Sequence, residues 1–340
     1  MDPIDRRCFT TRRDFLAAAA TSGACLATAR GAATEQPSRK AQICLTLDLE
    51  MSRHYPQRGM MEWDFQKGNL NDATKQYSVK AGQLVRERGG IIHYFCVGRV
   101  LEQASVAWLK QLAETGHPIG NHTYDHVNVK ATTVPAVQFR FQRAPWLAGG
   151  RKPAQLIRDN IRLADTALSM RAGIKSSGFR TPGGFHSALN DRPDVQKMLQ
   201  ELGFTWVSSG YPRHHAVKPF EKPSREVLDS IVAAQTQGQP YIYPGGLVEI
   251  PMSPISDVNA FRNGRWKLDW FLEAIRRSVE WAIEHRAVYD FLAHPSCLGI
   301  EDPALETMQM ICDLVKQNAD RAEIVSLDAV AKRVLAEKQD

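Results

Sequence analysis

Two acids two positions apart, Asp48 and Glu50, end the strand-like stretch QICLTLDLE, and two histidines four apart, His122 and His126, stand in GNHTYDHVN. On a strand, Thr46, Asp48 and Glu50 share one face and Leu45, Leu47 and Leu49 the other, so the carboxylates repel unless a cation lies between them. A solvated strand end would also carry such a pair. The i, i+4 spacing puts both imidazoles on one face of a helical turn, a common way to present two nitrogens to one metal ion. Among ten histidines one such pair also arises by chance. Combined, Glu50, His122 and His126 form a set of two imidazoles and one carboxylate with positions left for water, which suits a hydrolytic metal site rather than a closed structural one. Asp48 is then left beside the water, where it can take a proton. The ion expected is divalent, Zn²⁺ first, since such donor sets accept several metals and availability decides among them.

The elements that would carry these residues alternate along the chain. Strands are expected at 42–48, 91–97, 117–121, 176–180, 204–208, 247–251, 288–294 and 323–327, and helices at 72–88, 104–115, 153–172, 192–202, 267–286 and 303–319. Strand and helix alternating throughout imply an α/β fold with a parallel sheet, and about eight strands favour a (β/α) barrel over two domains. The long connections 50–71, with Trp63 and Phe65, and 209–246, rich in proline, are candidate walls of a binding groove.

The chain has 340 residues, 43% of them hydrophobic and 24% charged, which is ordinary globular composition. Its formal charge of +6 comes without a basic run interleaved with aromatics or any nucleic-acid motif, so no nucleic-acid partner is expected. The first thirty residues stand apart. Arg12 and Arg13 precede an uncharged stretch from Phe15 to Ala29, with Ala27 and Ala29 suited to cleavage. Thr11 to Leu16 resembles a twin-arginine (Tat) export signal, which implies the Tat machinery as a partner and a periplasmic or extracellular location. The apolar stretch falls short of the roughly 20 residues that span a bilayer, and no other segment reaches that length, so no transmembrane domain is expected in the mature protein. Signal and cleavage region are read as 1–33, a linker as 34–41 and the folded domain as 42–335. Cys44, Cys96, Cys297 and Cys312 remain without C-x-x-C spacing, and Cys44 and Cys96 read as buried thiols.

The order of these motifs resembles the NodB-type polysaccharide deacetylases, the fourth carbohydrate esterase family, over roughly residues 41–330. The family's T-F-D-D-G reads T-L-D-L-E here, with the second acid displaced by one residue to Glu50. His122, Thr123 and His126 match its histidine motif, and Arg180, Pro182 and Gly184 match R-x-P-x-G. Leu292 and His294 match L-x-H. The resemblance implies a distorted parallel (β/α) barrel of the glycoside hydrolase/deacetylase type. It also implies a metal held by Glu50, His122 and His126, Asp48 as general base, Arg180 holding Asp48, and His294 as general acid. Substrate contacts would come from Tyr124, whose backbone N–H could serve the oxyanion, and from Pro182, Trp206 and His186. Trp206 stands for the family's aromatic wall, but its motif lacks the acid, which leaves Asp257 or Asp290 to tune His294. Three activities stay open: removal of N-acetyl groups from amino sugars of a cell-wall or extracellular polysaccharide, allantoinase-like hydrolysis of a small amide, and glycan binding without catalysis.

Overall fold

Alternation in the first strand sets the layers. In β1 (Ala41–Leu49), Ile43, Leu45, Leu47 and Leu49 join a core with the flanking helices, while Cys44 joins a second core. That second core gathers Phe95, Trp206, Val248 and Val288 from other strands and Leu327 and Val330 from the C-terminal helix Leu327–Glu337, so it lies inside the curl of the sheet. The structure, a computed structural model, describes residues 39–52, 62–216 and 218–338. The expected signal at 1–33 and most of the linker at 34–41 lie outside the described residues.

The remaining strands are β2 (Ile92–Cys96), β3 (Ile119–Asn121), β4 (Phe179–Phe185), β5 (Trp206–Gly210), β6 (Tyr241–Ile242), β7 (Val248–Glu249), β8 (Val288–Ala293) and β9 (Ala322–Ile324). Their order is β6-β7-β5-β4-β3-β2-β1-β8, with β9 also on β1. Every pairing is parallel except the two-residue hairpin β6–β7. The result is a parallel sheet curled into a half-barrel. Among the described residues no ladder joins β7 to β8. The Gln239 side chain instead makes two bonds with the backbone of Val288, and the Ser253 N–H donates to the Asp290 carbonyl at 2.9 Å.

Amphipathic helices at Asp72–Glu87, Ala107–Glu114, Pro153–Ala167, Pro193–Glu201, Leu268–Glu284 and Glu306–Gln317 occupy the expected segments. The connection expected as a loop at 50–71 contains a short helix, Trp63–Gly68, and the one at 209–246 contains Arg225–Ala233. No helix among the described residues is long and apolar enough to cross a membrane. Cys44, Cys96, Cys297 and Cys312 are buried, and none forms a disulfide among the described residues.

Gly178 leads into β4 at φ +71°, and a Cβ there would stand 1.9 Å from the Trp206 ring. Left-handed backbone and overpacking together should make Gly178→Ala cost roughly 2–4 kcal/mol. Urea unfolding measures it, and a loss under about 1 kcal/mol would contradict this packing.

Candidate active site

Parallel strands present their C-terminal ends on one side, and the functional side chains collect there. Asp48 is the penultimate residue of β1 and Glu50 follows its end. His122 follows β3, Arg180 lies in β4, and His294 follows β8. Asp48, Glu50, His122, His126 and His294 line one cavity of about 440 Å³. His126 Nε2 is 2.6 Å from Glu50 Oε2, and His122 Nε2 is 3.7 Å from the same oxygen. Asp48 Oδ2 stands 3.8 Å from His122 Nε2 and 3.9 Å from His294 Nε2.

Glu50, His122 and His126 offer three ligand atoms within 4.8 Å of one another. The chemistry of these donors fits a divalent ion. His122 Nδ1 lies 3.0 Å from the Arg180 carbonyl, which only accepts, so Nδ1 carries the proton and Nε2 turns its lone pair to the cavity. Burial pushes His126 down to about 4, so its imidazole is neutral at pH 7. Burial also pushes the Glu50 carboxyl upward, but His126 and Lys67 beside it hold it well below the usual carboxylate range. Glu50 Oε2 receives no hydrogen bond among the described residues. A cation shared by these groups would satisfy that oxygen.

Sequence reasoning missed Lys67. From the last turn of Trp63–Gly68 its Nζ reaches Glu50 Oε1 at 2.5 Å and Ser52 Oγ at 3.2 Å, leaving Oε2 to face the imidazoles. Burial pushes the lysine down, and Arg262 nearby adds to that, against the pull of Glu50. The only sequence signal was a cation in a long connection after the acid motif.

The histidine motif is not a helical turn, contrary to the spacing argument. Residues 122–128 form an irregular loop in which Thr123 (φ 58°) and His126 (φ 52°) are left-handed. Local bonds replace the helix: Asn121 Oδ1 accepts from the Thr123 N–H, Thr123 Oγ1 from Val127, and the Asn160 side chain and backbone oxygens from Asp125 and Tyr124. Asp125 is further fixed by Arg99 and Arg140, which also share Asp64. The imidazoles still converge, with ring centroids 5.2 Å apart.

Arg180 is fully buried and reaches Asp48 Oδ1 at 3.2 Å. Its tighter ion pair is with Asp290, and it also meets Thr46 Oγ1 at 2.7 Å and Ser208 Oγ at 3.2 Å. Burial pushes Asp290 up to about 6 in spite of that arginine. Asp290 is thereby engaged, and the partner of His294 is Asp257. Its Oδ1 lies 2.9 Å from His294 Nδ1, and its Oδ2 accepts the His294 backbone N–H at 2.8 Å. Burial disfavours the imidazolium, but Asp257 overrides it and raises the His294 pKa.

Two expected substrate contacts are corrected. Trp206 is the first residue of β5, about 13 Å of strand before its C-terminal end, and its indole N–H donates to Asp328 at 2.9 Å inside the apolar core. Tyr124 is absent from the cavity wall; its hydroxyl bonds Glu102, and its backbone N–H donates to the Asn160 carbonyl rather than facing an oxyanion. Pro182 is buried between Thr181 and Gly183, which do line the cavity. A Cβ on Gly184 would meet Tyr211 Cβ at 2.6 Å, so the glycine admits that ring to the wall. His186 is exposed on the rim, its Nδ1 2.8 Å from the Tyr211 carbonyl. Trp63 meets His126 edge-on at 6.1 Å, while Trp146 is exposed away from this cavity.

A half-barrel with acids and imidazoles at its C-terminal rim defines a class of hydrolase-type α/β protein. Within it, residues 65–207 match the family model described as polysaccharide deacetylase, a span that includes His122, His126 and Arg180. No curated protein matches the chain by sequence. The fold is shared with a structure described as a polysaccharide deacetylase from Mycobacterium smegmatis, at TM-score 0.60 and 17% identity over 89% of this chain and 93% of that one. A counterpart from Pseudomonas aeruginosa PAO1 gives 0.58 and 13% over 87% and 92%, and the Puue allantoinase 0.55 and 14% over 87% and 91%. The family match supports the polysaccharide deacetylase family, and these neighbours show the shared fold.

Zinc titration of the metal-free protein should give one tight site per chain, weakened at least about 100-fold by His122→Ala or Glu50→Ala. Tight binding unchanged in both variants would rule out this ligand set.

Proposed function

We propose that the chain is a divalent-metal hydrolase of the polysaccharide deacetylase family. It removes N-acetyl groups from amino sugars of a cell-wall or extracellular polysaccharide, after export by the Tat route to the periplasm or beyond. The observation that carries this reading is one cavity holding a three-ligand set together with the Asp48 carboxylate, bonded to Arg180, and a histidine, His294, whose Nδ1 meets Asp257. Glu50, His122 and His126 would hold the ion, Zn²⁺ first. When bound there, it polarises the acyl carbonyl and acidifies water.

The chain's own residues handle the protons. Asp48 accepts one from the attacking water, held in place by Arg180. His294 enters protonated because of Asp257 and gives its proton to the departing nitrogen, so the C–N bond breaks with a neutral amine leaving. The products are acetate and the free amino sugar. A second cavity of about 360 Å³ shares His186, Tyr211 and Asn259 with the first, and this continuation suits an extended glycan better than a small ring amide.

Asp48→Asn should abolish acetate release from N-acetylated oligosaccharides while the protein retains its zinc. Zinc loss in that variant would make Asp48 a ligand, and turnover of a ring amide but no oligosaccharide would replace the substrate. A second test follows from the sign of the His294 shift. Its proton persists above the ordinary histidine range and is lost as pH rises through the elevated value, so activity falls on the alkaline side. Asp257→Asn removes the group that raises it, and the alkaline limb of kcat should move to lower pH, with a loss of roughly 10–100-fold at pH 8. A limb that stays in place would remove Asp257 from this role.

A further inference from the structure

The irregular π turn Val258–Asn263 begins directly after Asp257 and carries a charge that the proposed reaction does not use. Such turns often mark functional sites because the extra residue re-aims side chains. Here the Gly264 N–H bonds the Asn259 carbonyl, and the turn brings Val258, Asn259 and Arg262 into the wall of the catalytic cavity. Arg262 is half-buried. Its Nη1 donates to the Ser52 carbonyl at 3.0 Å, and among the described residues no carboxylate pairs with it. The stretch 53–61 that follows Ser52 contains no Asp or Glu either.

Of the two cationic Lys and Arg side chains in the cavity wall, Lys67 pairs with Glu50, whereas Arg262 has no carboxylate partner among the described residues. The adjoining cavity has Arg213 and no acidic residue in its wall. A guanidinium in the cavity wall that donates to one carbonyl has further N–H groups to offer and suits a carboxylate, which it can bind through two parallel hydrogen bonds. We infer that the substrate is an anionic N-acyl compound whose carboxylate docks on Arg262 while its acyl group lies at Glu50, His122 and His126. This rests on the hydrolase reading of the same site and specifies its substrate class. The carboxylate could belong to an acidic amino sugar or to a small ureido acid, which share this chemistry.

The test is binding, measured by calorimetry on the zinc-loaded protein, of two matched pairs: N-acetylmuramic acid and its methyl ester, and ureidoacetate and its methyl ester. In at least one pair the acid should bind tenfold or more tighter than the ester, with the preference falling below twofold in Arg262→Gln and partly restored in Arg262→Lys. The pair that discriminates identifies the source of the carboxylate. Equal binding of acid and ester in both pairs, or a preference that survives in Arg262→Gln, overturns the inference. Acid-selective binding lost in Arg262→Gln but without release of the acyl group would uphold Arg262 and sink the hydrolase reading instead.

Discussion

A fully buried guanidinium at the centre of the curled sheet is the constraint from which the rest follows. Arg180, on β4, bonds Thr46 and Asp48 on β1, Ser208 on β5 and Asp290 on β8, and lies 4.3 Å from the Phe95 ring centroid on β2. A charge in that position is tolerable only with its partners in place, since a buried ion without compensation costs several kcal/mol. The strands must therefore keep one register for the arginine to be satisfied. The same residue reaches the site twice, through its side chain to Asp48 and through its carbonyl to His122.

Above this layer the chemistry is separated by which cation or acid each group meets. Glu50 has Lys67 on one oxygen and the imidazoles on the other, Asp48 has Arg180, and His294 has Asp257. Below it the curl is filled by Cys44, Phe95, Trp206 and the C-terminal helix, an apolar floor. One segment, from Asp257 through Arg262, supplies both the acid that meets His294 and a guanidinium without a carboxylate partner among the described residues.

Much of the frame was legible because β1, β2 and β8 are long alternating or apolar runs and the amphipathic helices have clear periods. Asp48, Glu50, His122, His126 and His294 were legible as residue types in a recognisable order, and the cavity contains all five. The histidine loop was misread as helical because the bonds that hold it come from Asn160, far along the chain, and no spacing rule contains them. Asp257 and Asp290 could not be separated by sequence, since which acid meets His294 depends on the seam between β7 and β8. Trp206 failed for a simpler reason: its position early in β5 puts it at the wrong end of the strand. Lys67 and Arg262 lay in stretches whose turns carry no periodic signal.

The most direct measurement is anomalous diffraction at the zinc edge from crystals of the zinc-loaded protein. The account predicts one strong peak, about 2.0–2.2 Å from Glu50 Oε2 and from Nε2 of both His122 and His126, with Lys67 still on Glu50 Oε1. No peak between these three residues, with Glu50 closed off by Lys67 and His126 alone, would contradict it.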